Sequence, residues 1–303
     1  MRKNTRNKDV VCPFLNGEDL NGNPDQSPSR LVINFYDWPL EKAESYPDAM
    51  AIVRDRVFPV RQMVNREAHR KYWWHYGDKR PALYAKIRNM RRVIVVAATS
   101  RTLAFCFLPP HMVFSHATYV FAYEEGGHFA VLQSAFHEGW ARRFASSMKG
   151  DLRYTPTDCF INFPFPNRPE SLNEIGDSYH ERRRQVMIAR QEGLTKIYNR
   201  FHNPDEKAED IERLRALHVE LDQVVAIAYG WSDLDLCHGF HETKQGIRYT
   251  TSESARRIVL DRLLALNHRR YAEEVAEGLH DKKKAKGKGL SHKAGFAEPD
   301  LFQ

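Results

Sequence analysis

Two His-Glu pairs, His137-Glu138 and His241-Glu242, are the first residues whose types suggest catalysis. A zinc-protease helix needs a second histidine four positions after the first, so that both imidazoles share one face. Those positions hold Ala141 and Gln245, so the metalloprotease reading fails. Cys237-His238-Gly239-Phe240-His241 offers three ligand-capable side chains, but no partner cluster lies nearby. A structural zinc takes four protein ligands, so no metal is assigned. The sequence has neither a Gly-x4-Gly-Lys-Ser/Thr phosphate loop nor a Gly-x-Ser-x-Gly nucleophile elbow. Methylation of a base amine would need a glycine-rich strand–turn for the methyl donor and an Asn/Asp-Pro-Pro-aromatic grip on the flipped base. Both Asn-Pro pairs, Asn23-Pro24 and Asn203-Pro204, are followed by aspartate instead. No catalytic residue and no cofactor site follow from the sequence.

Binding chemistry is better represented. Between Arg54 and Arg101 stand thirteen Lys or Arg against three acids, a local net of +10 that exceeds the +7 of the whole chain. Such a density points to a polyanionic partner. Phosphate contacts are expected from Arg66, Arg70, Lys71, Arg80, Arg88, Arg91 and Arg92 in this window. Arg142, Arg143, Lys149 and Arg153 follow near a helix end. The window is expected to form one cationic face. Tyr72, Trp73, Trp74, Tyr76 and Tyr84 are interleaved with the charges; such rings either stack on exposed bases or fill a core, and the core is favoured for the two tryptophans. Reading base edges requires Arg and short polar side chains on strands or loops that enter the major groove. Thr99, Ser100, Arg101 and Thr102 fit that role at the tip of a hairpin, with a plain solvent-exposed turn as the alternative.

The elements that must position these residues are mixed, and the fold class is α+β. Val93–Ala97, Leu103–Leu108 and Thr118–Tyr123 are rich in β-branched and aromatic residues and read as strands, as does Leu31–Phe35. Asp37 before Trp38-Pro39 reads as a helix cap. Gly126-Gly127 opens one helix carrying Phe129, Leu132, Phe136 and Trp140. Prolines at 164, 166 and 169 end regular structure, which divides the chain into a mixed N-terminal part, 1–166, a helical part, 167–280, and a low-complexity basic tail, 281–303. Ile211, Leu214, Leu217, Leu221, Val224, Val225 and Ala228 form one amphipathic stripe; Ile258, Val259, Leu263, Leu264 and Leu266 form a second. No apolar stretch is long enough to span a bilayer, and nothing apolar follows the basic N-terminus as in a secretory leader. The separated cysteines, Cys12, Cys106, Cys159 and Cys237, suit a reducing cytoplasm as small buried residues.

Several strings resemble a known family. Pro13-Phe14-Leu15-Asn16-Gly17-Glu18-Asp19-Leu20, Asp37-Trp38-Pro39-Leu40 and Arg80-Pro81-Ala82-Leu83-Tyr84 do so, as does the Asp151–Phe160 run with its Phe163-Pro164 ending. Tyr229-Gly230-Trp231 and His238-Gly239-Phe240-His241 extend the likeness towards the C-terminus. All resemble the region after the catalytic domain in single-chain type IIG and type IIL restriction–modification enzymes and related phage-exclusion methyltransferases. The resemblance implies a target-recognition domain followed by a helical region, with base-reading residues near Thr99–Thr102. It implies double-stranded DNA as partner, and a separate adenine methyltransferase domain or chain that binds S-adenosylmethionine. The sequence departs from the family in having no catalytic part before the recognition part. It is expected to be a separately encoded specificity subunit or the remnant of a split gene. Competing readings are a helical protein-interaction scaffold and an inactive fragment.

Overall fold

The structure is a computed structural model that describes residues 5–77, 79–148 and 150–280. Lys149 and the tail 281–303 lie outside the described residues. In chain order, β1 (Val11–Leu15), α1 (Gly17–Gly22) and β2 (Arg30–Ile33) lead into five short helices: α2 (Leu40–Glu44), α3 (Pro47–Arg56), α4 (Phe58–Gln62), α5 (Glu67–Lys71) and α6 (Pro81–Ile87). Five strands follow: β3 (Val93–Ala97), β4 (Thr99–Ser100), β5 (Cys106–Leu108), β6 (Val113–Phe114) and β7 (Thr118–Phe121). Helices α7 (Gly126–Gln133) and α8 (Ala135–Phe144) precede the hairpin β8 (Ser146–Met148) and β9 (Asp151–Arg153), and then α9 (Pro156–Cys159). The remainder is α10 (Asn173–Arg190), α11 (Leu194–Phe201), α12 (Glu209–Ala228), the hairpin β10 (Gly239–Thr243) and β11 (Gly246–Thr250), and α13 (Glu253–Ala276). Helices and small sheets alternate without a βαβ series, and the fold is α+β.

The central sheet has the order β5-β3-β7, with both neighbours antiparallel to β3. Every residue of Val-Ile-Val-Val-Ala in β3 is buried, as its unbroken apolar run requires. Each Val or Ile so buried contributes roughly 1.5–3 kcal/mol. A second sheet, β2-β1-β6, pairs β1 antiparallel with β2 and parallel with β6. Helix α7 is apolar nearly all round and is accordingly covered on every side. It does not continue into α8 as a single helix. Ser134 adopts extended backbone (ψ 158°), and its hydroxyl caps α8 by accepting from the His137 amide.

Helix α10 crosses α7 where Gly126 and Gly176 let the two backbones meet without side chains between them, and Gly127 lies against the Pro169 carbonyl just before α10. The doublet Gly126-Gly127 therefore serves close packing. Residues 163–168 carry no helix or strand, as the prolines demand, but the core runs through this point. Phe160 and Phe163 before it, and Leu172, Ile175 and Tyr179 after it, belong to one buried cluster that extends from Leu15 to Leu263. A smaller cluster of Val10, Phe35, Ala43, Tyr46, Ala49, Met50 and Val53 holds α2 and α3. Trp73 and Trp74 pack half-buried against it, and the Trp74 indole N–H donates to the Trp38 carbonyl at 2.8 Å. Asp37 does not cap α2, whose N-cap is Pro39; it pairs with Lys79.

Both helical stripes are present, with different weights. Ile211, Leu214, Leu221 and Val225 of α12 are buried. α13 packs through Ala255, Val259 and Leu263, while Ile258 is exposed. Cys106 and Cys159 are buried, whereas Cys12 is half-buried and Cys237 is exposed. No described helix is long and apolar enough to cross a membrane.

Candidate nucleic-acid interface

The segment after β3 does not end in a free hairpin tip. β3 and β5 pair antiparallel, but the chain between them is drawn into a third sheet of order β4-β9-β8. Thr99 stands opposite Arg153, and Arg153 opposite Ser146; Ser100 stands opposite Leu152, and Leu152 opposite Ser147. Residues opposite one another in a sheet share a face. One face therefore carries Thr99, Arg153 and Ser146 in a row, all exposed, while the other buries Leu152. The Ser100 hydroxyl turns inward and accepts from the Thr102 amide at 3.3 Å. Arg101 is exposed.

This row opens onto a cleft of about 830 Å³ that Asn16, Asn21, Arg30, Thr99, His116 and Arg153 help to line. Asn16 is fixed there as the cap of α1, accepting from the Asp19 amide at 2.8 Å. Arg30 sits on the exposed side of β2. Among the described residues, neither Arg30 nor Arg153 has a carboxylate within ion-pair distance, so both guanidinium groups face solvent uncompensated.

The cationic window from Arg54 to Arg101 is interrupted by the buried strand β3. Its first part, through Trp74, is wrapped around the smaller cluster. Arg91 and Arg92 stand at the start of β3 and Arg101 beyond its end; six residues of extended chain separate Arg92 from Ala98 by roughly 20 Å. A run dense in charge along the sequence is thus divided by the strand it contains. Within it, Arg66, Lys71 and Arg88 are exposed, as is Arg143 on α8. Arg91 is exposed too, with Glu124 at 3.8 Å. Other candidates are engaged in holding the fold. Arg70 donates to the carbonyls of Val64 and Asn65. Arg92 pairs with Asp177 at 2.6 Å and lies over the Phe107 ring. Arg142 pairs with Glu138 at 2.7 Å and donates to the Arg101 carbonyl at 3.2 Å. Arg80 adopts a left-handed backbone (φ +38°) before Pro81 at the start of α6.

The two His-Glu pairs have structural partners. Burial lowers the His137 imidazole to about 3, and its Nε2 meets the Tyr154 hydroxyl at 3.0 Å. Burial, the largest single influence, opposes the Glu138 charge, but Arg142, His202 and Arg248 together outweigh it and hold the carboxyl well below its usual range. His241 bonds the Cys237 carbonyl at 2.9 Å, and His238 bonds the buried Asp222 carboxylate at 2.8 Å. Sequence reasoning missed the β10–β11 hairpin, although it had rejected part of the same stretch as a metal site. The alternation through Phe240-His241-Glu242-Thr243 and the Lys244-Gln245-Gly246 turn were the signals for it.

Comparison with known proteins places this geometry. No curated protein matches the chain. Among solved structures, the type IIL restriction–modification enzyme MmeI in complex with DNA is similar, with a TM-score of 0.60 and 16% identity over 89% of this chain. The chain spans 32% of that enzyme's length. The sequence model of the family described as MmeI, target recognition domain, matches residues 1–167. That match covers more than half of the residues, and the chain belongs to the MmeI target recognition domain family.

Proposed function

We propose that this chain reads DNA sequence on behalf of an adenine-specific methyltransferase of a restriction–modification or phage-defence system. The observation that carries the proposal is the exposed row Thr99–Arg153–Ser146, next to Arg101 and open to a cleft with Arg30. Short hydroxyls and guanidinium groups on a rigid sheet are the side chains that base edges and phosphates select. In this reading Thr99, Arg101 and Thr102 meet bases, and Ser100 holds the loop through its bond to the Thr102 amide. Arg66, Lys71, Arg88, Arg91, Arg143 and Arg153 supply phosphate contacts, which position without specifying. Residues 1–166 do the reading and residues 167–280 buttress them. S-adenosylmethionine binds to the methyltransferase domain or chain, and the complex works in the cytoplasm.

The test compares a duplex selected by the chain with a random duplex. Arg101→Ala should narrow the affinity ratio between them by roughly 10-fold or more, the worth of one good base contact. Equal weakening on both duplexes would remove Arg101 from base reading. A second reading, in which the helices recruit a protein and DNA is not bound, is favoured by Tyr271, Val275 and Leu279, exposed at four-residue spacing near the end of α13. Capture of a methyltransferase chain without any retention of duplex would support it.

A further inference from the structure

A second cationic surface borders the Thr99–Thr102 segment at Arg101, built mostly from the helical part. Helix α8, the β10–β11 hairpin and the start of α13 enclose an open groove of about 450 Å³. Six basic side chains line it: Arg142, Arg143, Lys244, Arg248, Arg256 and Arg257. Glu138, Glu242 and Glu253 are the carboxylates among its lining residues, which leaves a positive excess. Two of the acids are matched, Glu138 by Arg142 and Glu253 by Arg257 at 2.5 Å. Arg256 donates to the Thr251 carbonyl, and the buried Arg248 donates to the Arg101 carbonyl at 3.3 Å. Arg143 and Lys244 are exposed and have no carboxylate within ion-pair distance among the described residues.

Lys244 is not carried on a loose loop. It stands in a two-residue turn closed by Gly246 at φ +90°, where the Thr243 hydroxyl donates to the Gly246 carbonyl at 2.8 Å and accepts from the Gln245 amide at 3.1 Å. The turn is tied to the reading segment, because the Arg101 guanidinium donates to the Gln245 carbonyl at 3.4 Å. Arg142 and Arg248 both hold the Arg101 carbonyl. The groove and the candidate base-reading residues therefore adjoin at Arg101.

We propose that this groove holds the sugar–phosphate backbone of the duplex next to the bases that face Thr99–Thr102, with Arg143 and Lys244 as its phosphate contacts. The proposal rests on the DNA-reading role argued above. Each phosphate neutralised releases condensed counterions and adds about 0.9 to the slope of log K against log salt. The double variant Arg143→Gln/Lys244→Gln should then lower that slope by about 1.8 and weaken binding roughly 50-fold near 0.1 M salt.

The probe is a random-sequence duplex, titrated against the full chain at several salt concentrations. Lys196→Gln/Lys207→Gln removes the same charge from exposed positions outside the groove and serves as the control. The proposal expects the slope to fall in the groove variant and to stay near the wild-type value in the control. An unchanged slope in the groove variant, or an equal fall in both, overturns it. The first of these outcomes leaves an acidic segment of another polypeptide as the occupant. If the wild-type chain itself fails to bind duplex, the DNA-reading role fails together with this inference.

Discussion

The crossing of α10 over α7 joins the helical part to the sheet that presents the candidate reading segment, and glycine makes it possible. A Cβ built on Gly176 would fall 1.9 Å from the Gly126 carbonyl oxygen and 2.6 Å from its carbonyl carbon. Both atoms are backbone in a buried helix, so neither can turn aside as a flexible side chain would. Relief requires the helices to move apart by more than about 1 Å, which opens gaps along the contact. Gly176→Ala should therefore cost about 3 kcal/mol, the upper end of what overpacking costs. Gly139 provides the opposite case. It lies inside α8, and nothing stands within 4 Å of its built Cβ. Gly139→Ala should instead stabilise by roughly 0.5–1 kcal/mol through helix propensity. Urea unfolding followed by tryptophan fluorescence, compared at equal m-values, measures both. A Gly176→Ala loss below about 1 kcal/mol would refute the close-contact argument. Changes of the same sign in the two variants would refute it equally.

Acid stability follows from buried histidines. Burial lowers His137 from 6.5 to about 3. Between those values the unfolded chain binds a proton that the folded chain does not, so stability falls as pH is lowered through this window. The loss from His137 alone is roughly 2 kcal/mol at pH 5, and His180 and His202, which burial also lowers to about 3, act in the same direction. His137→Gln should shrink the difference in unfolding free energy between pH 7 and pH 5; an undiminished difference would contradict the assignment. Because one buried cluster runs from Leu15 to Leu263, the recognition and helical parts should also unfold together. Two separate calorimetric transitions would show that they do not share a core.

The elements legible in the sequence were those whose pattern is local. Val93–Ala97 emerged with the expected bounds because a run of β-branched residues buried on both faces has few alternatives. The α12 stripe was equally direct. The strand expected at Leu103–Leu108 shortened to Cys106–Leu108, because the chain before it is drawn aside to pair with β9, some fifty residues later. No local window contains that partner. Gly126-Gly127 was read as a helix start and is one, but what the doublet makes room for lies far along the chain: the Asn173 carbonyl beside Gly126 and the Pro169 carbonyl beside Gly127. The site was harder to read for the same reason. Charge density along the chain pointed to a polyanion, yet β3 splits the dense window in space. The surfaces that do form combine Thr99 with Arg153, and Arg143 with Lys244, pairs brought together only by folding.

If this chain tells one DNA sequence from another, the duplexes it retains record the choice. Incubation of the purified chain with a pool of duplexes carrying a randomised central segment, followed by sequencing of the bound fraction, tests this most directly. Enrichment of one defined short sequence, which Arg101→Ala makes less sharp, is the expected result. A bound pool with the same composition as the input would contradict it.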